Sequence, residues 1–213
     1  GDMPLKSESD FFAAFSALVK RLPGHFVEKT PHHLYQPSCI ALMERYANQS
    51  QSAGIHCHFI GLVRNPIDTL YSSWRRFGVR PSREAKHWLT AYRELRALSD
   101  RSEDVHIIRY EDLVSGRVDL SHLTSIEPRE NEGERFVSSS VQKWRSDPKF
   151  SYQLSDECRE LALDYGYDEE ELSNDNCRPW PIANEIRAGA WQCFSRLPFA
   201  WQSRAKQVAK RFL

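Results

Sequence analysis

Apolar positions along the chain follow two spacings. Phe11, Phe12, Phe15, Leu18 and Val19 recur at helical spacing, with Ser9 or Asp10 as the expected cap and a stop at residues 21–24. Residues 25–28 form a short apolar strand pattern. Residues 35–51 return to a helical face through Ile40, Leu42, Met43 and Tyr46, closed by Gly54. Residues 56–63 are rich in Ile, Leu, Val and Phe, with no Pro or charge before Arg64. That run predicts a strand buried on both faces of a parallel sheet. It stops abruptly, because Asn65 can cap a helix, Pro66 suits its first position and Asp68 adds negative charge to the first turn.

The same alternation continues downstream. Ser82 is the expected cap of a longer helix whose Ala85, Trp88, Leu89, Tyr92 and Leu95 share one face, with Trp88 and Tyr92 as core residues. Residues 104–109 make another short apolar strand, and Tyr110, Glu111, Asp112 and Leu113 open a helix after it. Residues 119–134 are polar and loop-like, 155–165 read as a short helix, and 166–171 as an acidic turn. Residues 184–213 are helix-prone, basic and aromatic, the pattern of a helical extension that completes its own domain's core or lies on a partner. Strands that each feed a helix predict an α/β architecture with parallel strands and sites at one edge of the sheet.

Composition narrows the partners. The 213 residues carry 29 basic and 29 acidic side chains, 40% hydrophobic and 27% charged residues, as in a soluble globular domain with a substantial core. Zero net charge gives no overall field toward nucleic acid or an anionic membrane, so an anion site must be local. No run reaches the ~18 apolar residues of a membrane span, so no integral membrane segment is expected in this chain. The cysteines at 39, 57, 158, 177 and 193 include no CxxC pair, so zinc is not expected. Cys57 reads as a buried strand thiol suited to a reducing, cytoplasmic setting.

Two strand ends collect chemistry. At the first, Arg64 offers a planar cation for phosphate or carboxylate, and Ser72 follows eight residues later, about two turns into the helix on the face of Asp68. The free amides of the helix N-terminus would add to an anion site there. The alternative is an Arg capping a strand and a solvated Ser. At the second, Glu28 and Lys29 place a base beside a cation, followed by Thr30, Pro31, His32 and His33. The alternative there is a surface ion pair beside a proline turn. Arg75, Arg76 and Arg80 form a basic cluster that fits either an anionic acceptor or solvent.

The segment RNPIDTLYSSW, residues 64–74, resembles the 3′-phosphate-binding segment of sulfotransferases that use 3′-phosphoadenosine-5′-phosphosulfate (PAPS). EKTP at 28–31, RYEDLV at 109–114 and SSSVQKWRSD at 138–147 resemble further segments of that family, in the family's order. The resemblance implies a three-layer, P-loop NTPase-like α/β fold with a central parallel sheet flanked by helices, as a single sulfotransferase-like domain over residues 1–213. It implies sulfuryl transfer from PAPS to a hydroxyl or amine, with no metal, and with a carbohydrate or other small molecule as acceptor and no nucleic acid as partner.

Carried over residue by residue, Glu28 would be the general base and Lys29 the group beside the transferring sulfuryl. A His two residues after the Lys is the base in the small-molecule branch. Pro31 holds that place here, which favours Glu28 and leaves His32 and His33 as substitutes. Arg64 and Ser72 would hold the 3′-phosphate and Tyr110 would flank adenine. Arg135, Ser139, Lys143 and Arg145 are candidates on the nucleotide-closing loop, with Trp144 as its anchor. The family's Gly-, Ser- and Thr-rich 5′-phosphosulfate loop is not seen among the 28 residues before Lys29. Two consequences are expected: an exposed sheet edge, and a rival reading as a non-catalytic nucleotide-binding or scaffold homologue.

Overall fold

Strand β1, Phe59–Val63, and strand β2, Val105–Arg109, pair parallel, with Phe59 opposite Val105 and Val63 opposite Arg109. The computed structural model describes residues 7–22, 24, 26–30, 33–118, 120 and 141–176. Among these the order is α1 (Glu8–Val19), α2 (Pro37–Ser50), β1, α3 (Pro66–Phe77), α4 (Pro81–Ser99), β2, α5 (Tyr110–Val114) and α6 (Asp156–Asp164), a mixed α/β arrangement with a parallel sheet. Each strand feeds a helix, as the pattern predicts. The chain divides into two compact units, Gly1–Val63 with Thr90–Val137, and Arg64–Leu89 with Ser138–Leu213.

In the first unit, α1 and α2 are joined by an aromatic cluster. The Tyr46 ring lies edge-on to Phe12 and Phe15, at 5.4 and 5.0 Å, and its hydroxyl is 3.1 Å from the Ser16 hydroxyl. The cap of α1 is Ser7, whose Oγ accepts from the Asp10 amide at 3.1 Å. Ser9 and Asp10 instead lie inside the first turn, where Asp10 favours the helix dipole. Residues 26–28, expected as strand, are not in the sheet. Phe26 and Val27 stay 41% and 60% exposed, because an apolar pair alone does not make a strand without a partner ladder.

The 56–63 run is also shorter as strand than expected. The Phe59 amide donates to the Asp104 carbonyl at 2.8 Å, so pairing begins where β2 does, and residues 56–58 have no ladder to join. One face of β1 is closed: Gly61 lies so near α4 that a Cβ there would come within 2.6 Å of Leu95. Gly61→Ala is therefore expected to cost roughly 1–3 kcal/mol of stability, read from the denaturant midpoint, and an unchanged midpoint would refute the close packing. The other face is open: Ile60 and Leu62 are 39% and 42% exposed, so β1 is not buried on both faces. Cys57 is half-buried rather than buried.

The Phe59–Asp104 bond also fixes which way β1 presents its backbone. Odd positions face β2, and Ile60 and Leu62 direct their amides and carbonyls to the opposite edge. Among the described residues β1 pairs with β2 alone, so that edge has no strand partner. It is partly blunted, since the Tyr92 hydroxyl donates to the Leu62 carbonyl at 3.3 Å. Tyr92 is half-exposed at this edge rather than core, whereas Trp88 is core as expected.

The buried residues of the second unit include Trp74, Leu70 and Ile67 of α3, together with Trp144, Phe150 and, in α6, Cys158. The Phe150 ring lies 5.6 Å from Trp74 and edge-on to Tyr71 at 5.2 Å. Asn174, buried, ties this unit's irregular segments. Its Nδ2 donates to the Phe150 and Tyr152 carbonyls at 3.3 and 3.2 Å, and its carbonyl accepts from Gln153 at 2.6 Å. Ser155 caps α6, its Oγ accepting from the Cys158 amide at 3.4 Å. Helix α4 begins at Pro81, a residue before the expected Ser82 cap, because Pro is preorganised for a first helical turn. The 184–213 extension lies outside the described residues.

Candidate functional site at the strand-to-helix junction

The turn from residue 63 to 68 is locally determined. Asn65 Oδ1 accepts from the Ile67 and Asp68 amides at 2.9 and 3.4 Å, Pro66 has no amide to satisfy, and the Thr69 amide donates to the Asn65 carbonyl at 3.0 Å. These bonds change the expected anion chemistry. The first-turn amides of α3 are already used, so they do not form a free amide cradle. Any anion at this end must rely on the side chains of Arg64 and Ser72 and on the helix dipole.

Arg64 is half-buried at the strand end, and its carbonyl accepts from Trp88 Nε1 at 3.1 Å, which fixes the backbone that carries the guanidinium. Asn65 is held in turn by donating through Nδ2 to the Glu171 carbonyl at 2.9 Å. Ser72 is half-buried, and its hydroxyl makes no hydrogen bond among the described residues. A strand-end arginine and, two turns into the following helix, a hydroxyl without a hydrogen bond among the described residues are donor types that suit phosphate oxygens.

Asp68 is not a neighbour waiting for a ligand. It is 1% exposed, and both carboxylate oxygens accept from the Gln142 amide, at 2.8 and 3.1 Å. Gln142 takes a left-handed backbone with φ 56° at this point. The contact secures the segment that follows, a 3-10 turn Lys143–Ser146 whose Trp144 is buried, as an anchor should be. Asp68→Ala would strand the Gln142 amide and is expected to cost roughly 1–3 kcal/mol, with Asp68→Asn costing less. Equal denaturant midpoints for wild type and Asp68→Ala would refute this tie.

A second tie lies one turn along α3. Tyr71 donates to Asp147 Oδ2 at 3.1 Å, and Arg75 Nε lies 3.8 Å from the same oxygen. Burial, and then the Asp147 carboxylate, raise the Tyr71 phenol above its ordinary value, against an opposing pull from Arg75. The folded chain thus holds this proton more tightly than the unfolded chain. Its contribution is intact below about pH 10 and is lost as pH rises through the higher folded value. Tyr71→Phe should flatten the alkaline fall in stability above about pH 10; an identical alkaline profile would remove Tyr71 as its source.

The remaining expected site residues fall as follows. In the first unit, Glu28 and Lys29 lie on an exposed extended segment, where the Thr30 hydroxyl donates to Glu28 Oε1. Among the described residues Lys29 has no hydrogen-bond or ion-pair partner. Tyr110 is the half-buried first residue of α5, directly after β2. In the second unit, Lys143 is exposed, and Arg145 stacks on Trp144 at 4.7 Å and donates to the Glu170 carbonyl at 2.7 Å. His32, Arg135 and Ser139 lie outside the described residues. Sequence reasoning missed the roles of Asp68, Asp147 and Asn174, whose partners are far away in the chain. A buried carboxylate or amide carries no local pattern to announce such partners.

No protein-family model and no curated protein matches this chain. Among solved structures it is similar to a sulfotransferase domain from the curacin biosynthetic pathway, at 21% identity and a TM-score of 0.58, over 74% of this chain and 68% of that one. The α/β fold described above is thus a sulfotransferase-type, P-loop-like fold.

Proposed function

We propose that this chain is a PAPS-dependent sulfotransferase. The observation that carries the reading is the β1–α3 junction, where a half-buried Arg64 on a fixed backbone and a Ser72 hydroxyl with no hydrogen bond among the described residues occur on a sulfotransferase-type fold. In this reading Arg64 and Ser72 hold the 3′-phosphate and Tyr110 flanks the adenine. The nucleotide supplies an activated sulfuryl group and leaves as adenosine 3′,5′-bisphosphate. Glu28 takes the proton from the acceptor hydroxyl or amine as its oxygen or nitrogen bonds to sulfur, and Lys29 steadies the charge left on the bridging oxygen. His32 is the substitute base, and Ser139, Lys143 and Arg145 are candidate contacts on the closing segment.

A second reading, a non-catalytic nucleotide-binding homologue, is favoured by one observation. Glu28 and Lys29 sit on an exposed segment outside the sheet, so the described strands do not hold them in place. Incubating the full chain with PAPS labelled in the sulfuryl group, together with a panel of hydroxyl and amine acceptors, separates the two. Labelled product with stoichiometric adenosine 3′,5′-bisphosphate supports transfer. Nucleotide binding without product across the panel supports the second reading.

A further inference from the structure

The end of the β1–β2 pair away from Val63 and Arg109 gathers side chains that sulfuryl transfer does not use. His58 stands immediately before β1, Asp104 immediately before β2, and His106 inside β2. The Phe59 amide, bonded to the Asp104 carbonyl at 2.8 Å, fixes the two strand starts against each other. Register sets His106 opposite Ile60, and alternation along the chain puts His58 on the same side of the sheet as Ile60. Two imidazoles from neighbouring strands therefore share one face.

Their spacing suits a common ion. The His58 and His106 ring centres lie 5.7 Å apart, with the rings inclined at 38°. With a metal–nitrogen distance of about 2.1 Å, two imidazoles on one ion at a near-tetrahedral angle have ring centres roughly 5 to 6 Å apart. His58 Nδ1 is 3.7 Å from Asp104 Oδ1. Ligating histidines commonly turn their second ring nitrogen to a carboxylate in this way, which fixes the ring and leaves Nε2 for the ion. His106 Nε2 is buried and has no hydrogen-bond partner among the described residues. A ring nitrogen left so is costly, and ligation removes that cost.

An ordinary His58–Asp104 ion pair accounts for one ring only and leaves the His106 nitrogen unexplained. Among the described residues no three metal-ligating side chains converge, so the chain supplies two nitrogens and water completes the coordination. Such a set selects ions that favour imidazole, as Zn²⁺, Ni²⁺ and Cu²⁺ do, over Mg²⁺ and Ca²⁺, which take oxygen ligands. We propose that His58 and His106 hold one divalent transition-metal ion of this class, with Asp104 as the carboxylate that orients His58. The ion ties the start of β1 to β2, so it stabilises the fold by binding it. This inference is independent of the sulfuryl-transfer reading.

The test titrates Zn²⁺ calorimetrically into the full chain at about pH 7.5, where ligation competes with few protons, with Mg²⁺ as the comparison. The samples are wild type, His58→Ala, His106→Gln, Asp104→Asn and Cys57→Ser, each checked for folding by thermal melting without metal. Zn²⁺ should bind wild type at one site and raise its melting temperature, and Mg²⁺ should do neither. Affinity should fall roughly tenfold or more in each histidine variant and up to about tenfold in Asp104→Asn, and stay unchanged in Cys57→Ser. With Cu²⁺ as the probe, electron paramagnetic resonance should show coupling to two imidazole nitrogens in wild type and to one in His58→Ala. No Zn²⁺ binding, binding that survives both histidine variants, binding lost in Cys57→Ser, or an unchanged Cu²⁺ spectrum in His58→Ala would overturn the proposal.

Discussion

Glu28→Gln is expected to lower the rate of sulfuryl transfer by roughly 100- to 10,000-fold while leaving nucleotide affinity unchanged, the range that loss of a positioned general base produces. Glutamine keeps the size and hydrogen-bonding reach of the side chain, and its carbonyl oxygen can still accept from the Thr30 hydroxyl that contacts Glu28. The substitution therefore removes the basic function with little change in local structure, and the exposed segment that carries it contributes little to the core. The check is single-turnover transfer at saturating PAPS. A full rate would pass the role to His32.

Arg64→Ala is expected to weaken adenosine 3′,5′-bisphosphate by roughly 2–5 kcal/mol, or about 30- to 5,000-fold, because a half-desolvated charged pair is worth far more than an exposed one. The fold should survive, since it is the Arg64 carbonyl and not its guanidinium that receives Trp88 Nε1. Ser72→Ala should cost less, roughly 1 kcal/mol, as one hydroxyl bond is lost. Affinities measured calorimetrically for the three proteins should fall in the order wild type, Ser72→Ala, Arg64→Ala. If Arg64→Ala binds as tightly as wild type, Arg64 is not in the donor site.

What could be read from the chain at this junction was what neighbouring residues determine. The stop at Arg64, the cap at Asn65, the proline at the first helical position and the carboxylate in the first turn all act within a few residues, and all four appear as expected. The burial of Trp88 followed from its helical spacing, whereas Trp144, also buried, was expected as an anchor only through the family resemblance. The strand expected at residues 25–28 failed for the opposite reason. Phe26 and Val27 have strand-like chemistry, but a strand exists only where a partner ladder is present, and theirs stays exposed. Pairing likewise trimmed β1 to the length of β2.

The same locality limits the site. Asp68 looked like a helix-dipole residue near a pocket, yet its carboxylate is committed to the Gln142 amide, 74 residues along the chain. The α3 amides looked available to an anion, yet the Asn65 side chain that predicts the helix start also occupies them. The cap and the amide cradle compete for the same donors, so one feature that marks the helix removes the other. That competition leaves the case for a phosphate site resting on Arg64 and Ser72.

The most direct test of that case is a calorimetric titration of adenosine 3′,5′-bisphosphate into the full chain, with ATP as the comparison. ATP offers adenine and a charged polyphosphate but no 3′-phosphate. Saturable binding of the bisphosphate, much tighter than that of ATP, is the predicted result. Equal affinity for the two nucleotides, or no heat from either, would contradict a 3′-phosphate site at the β1–α3 junction.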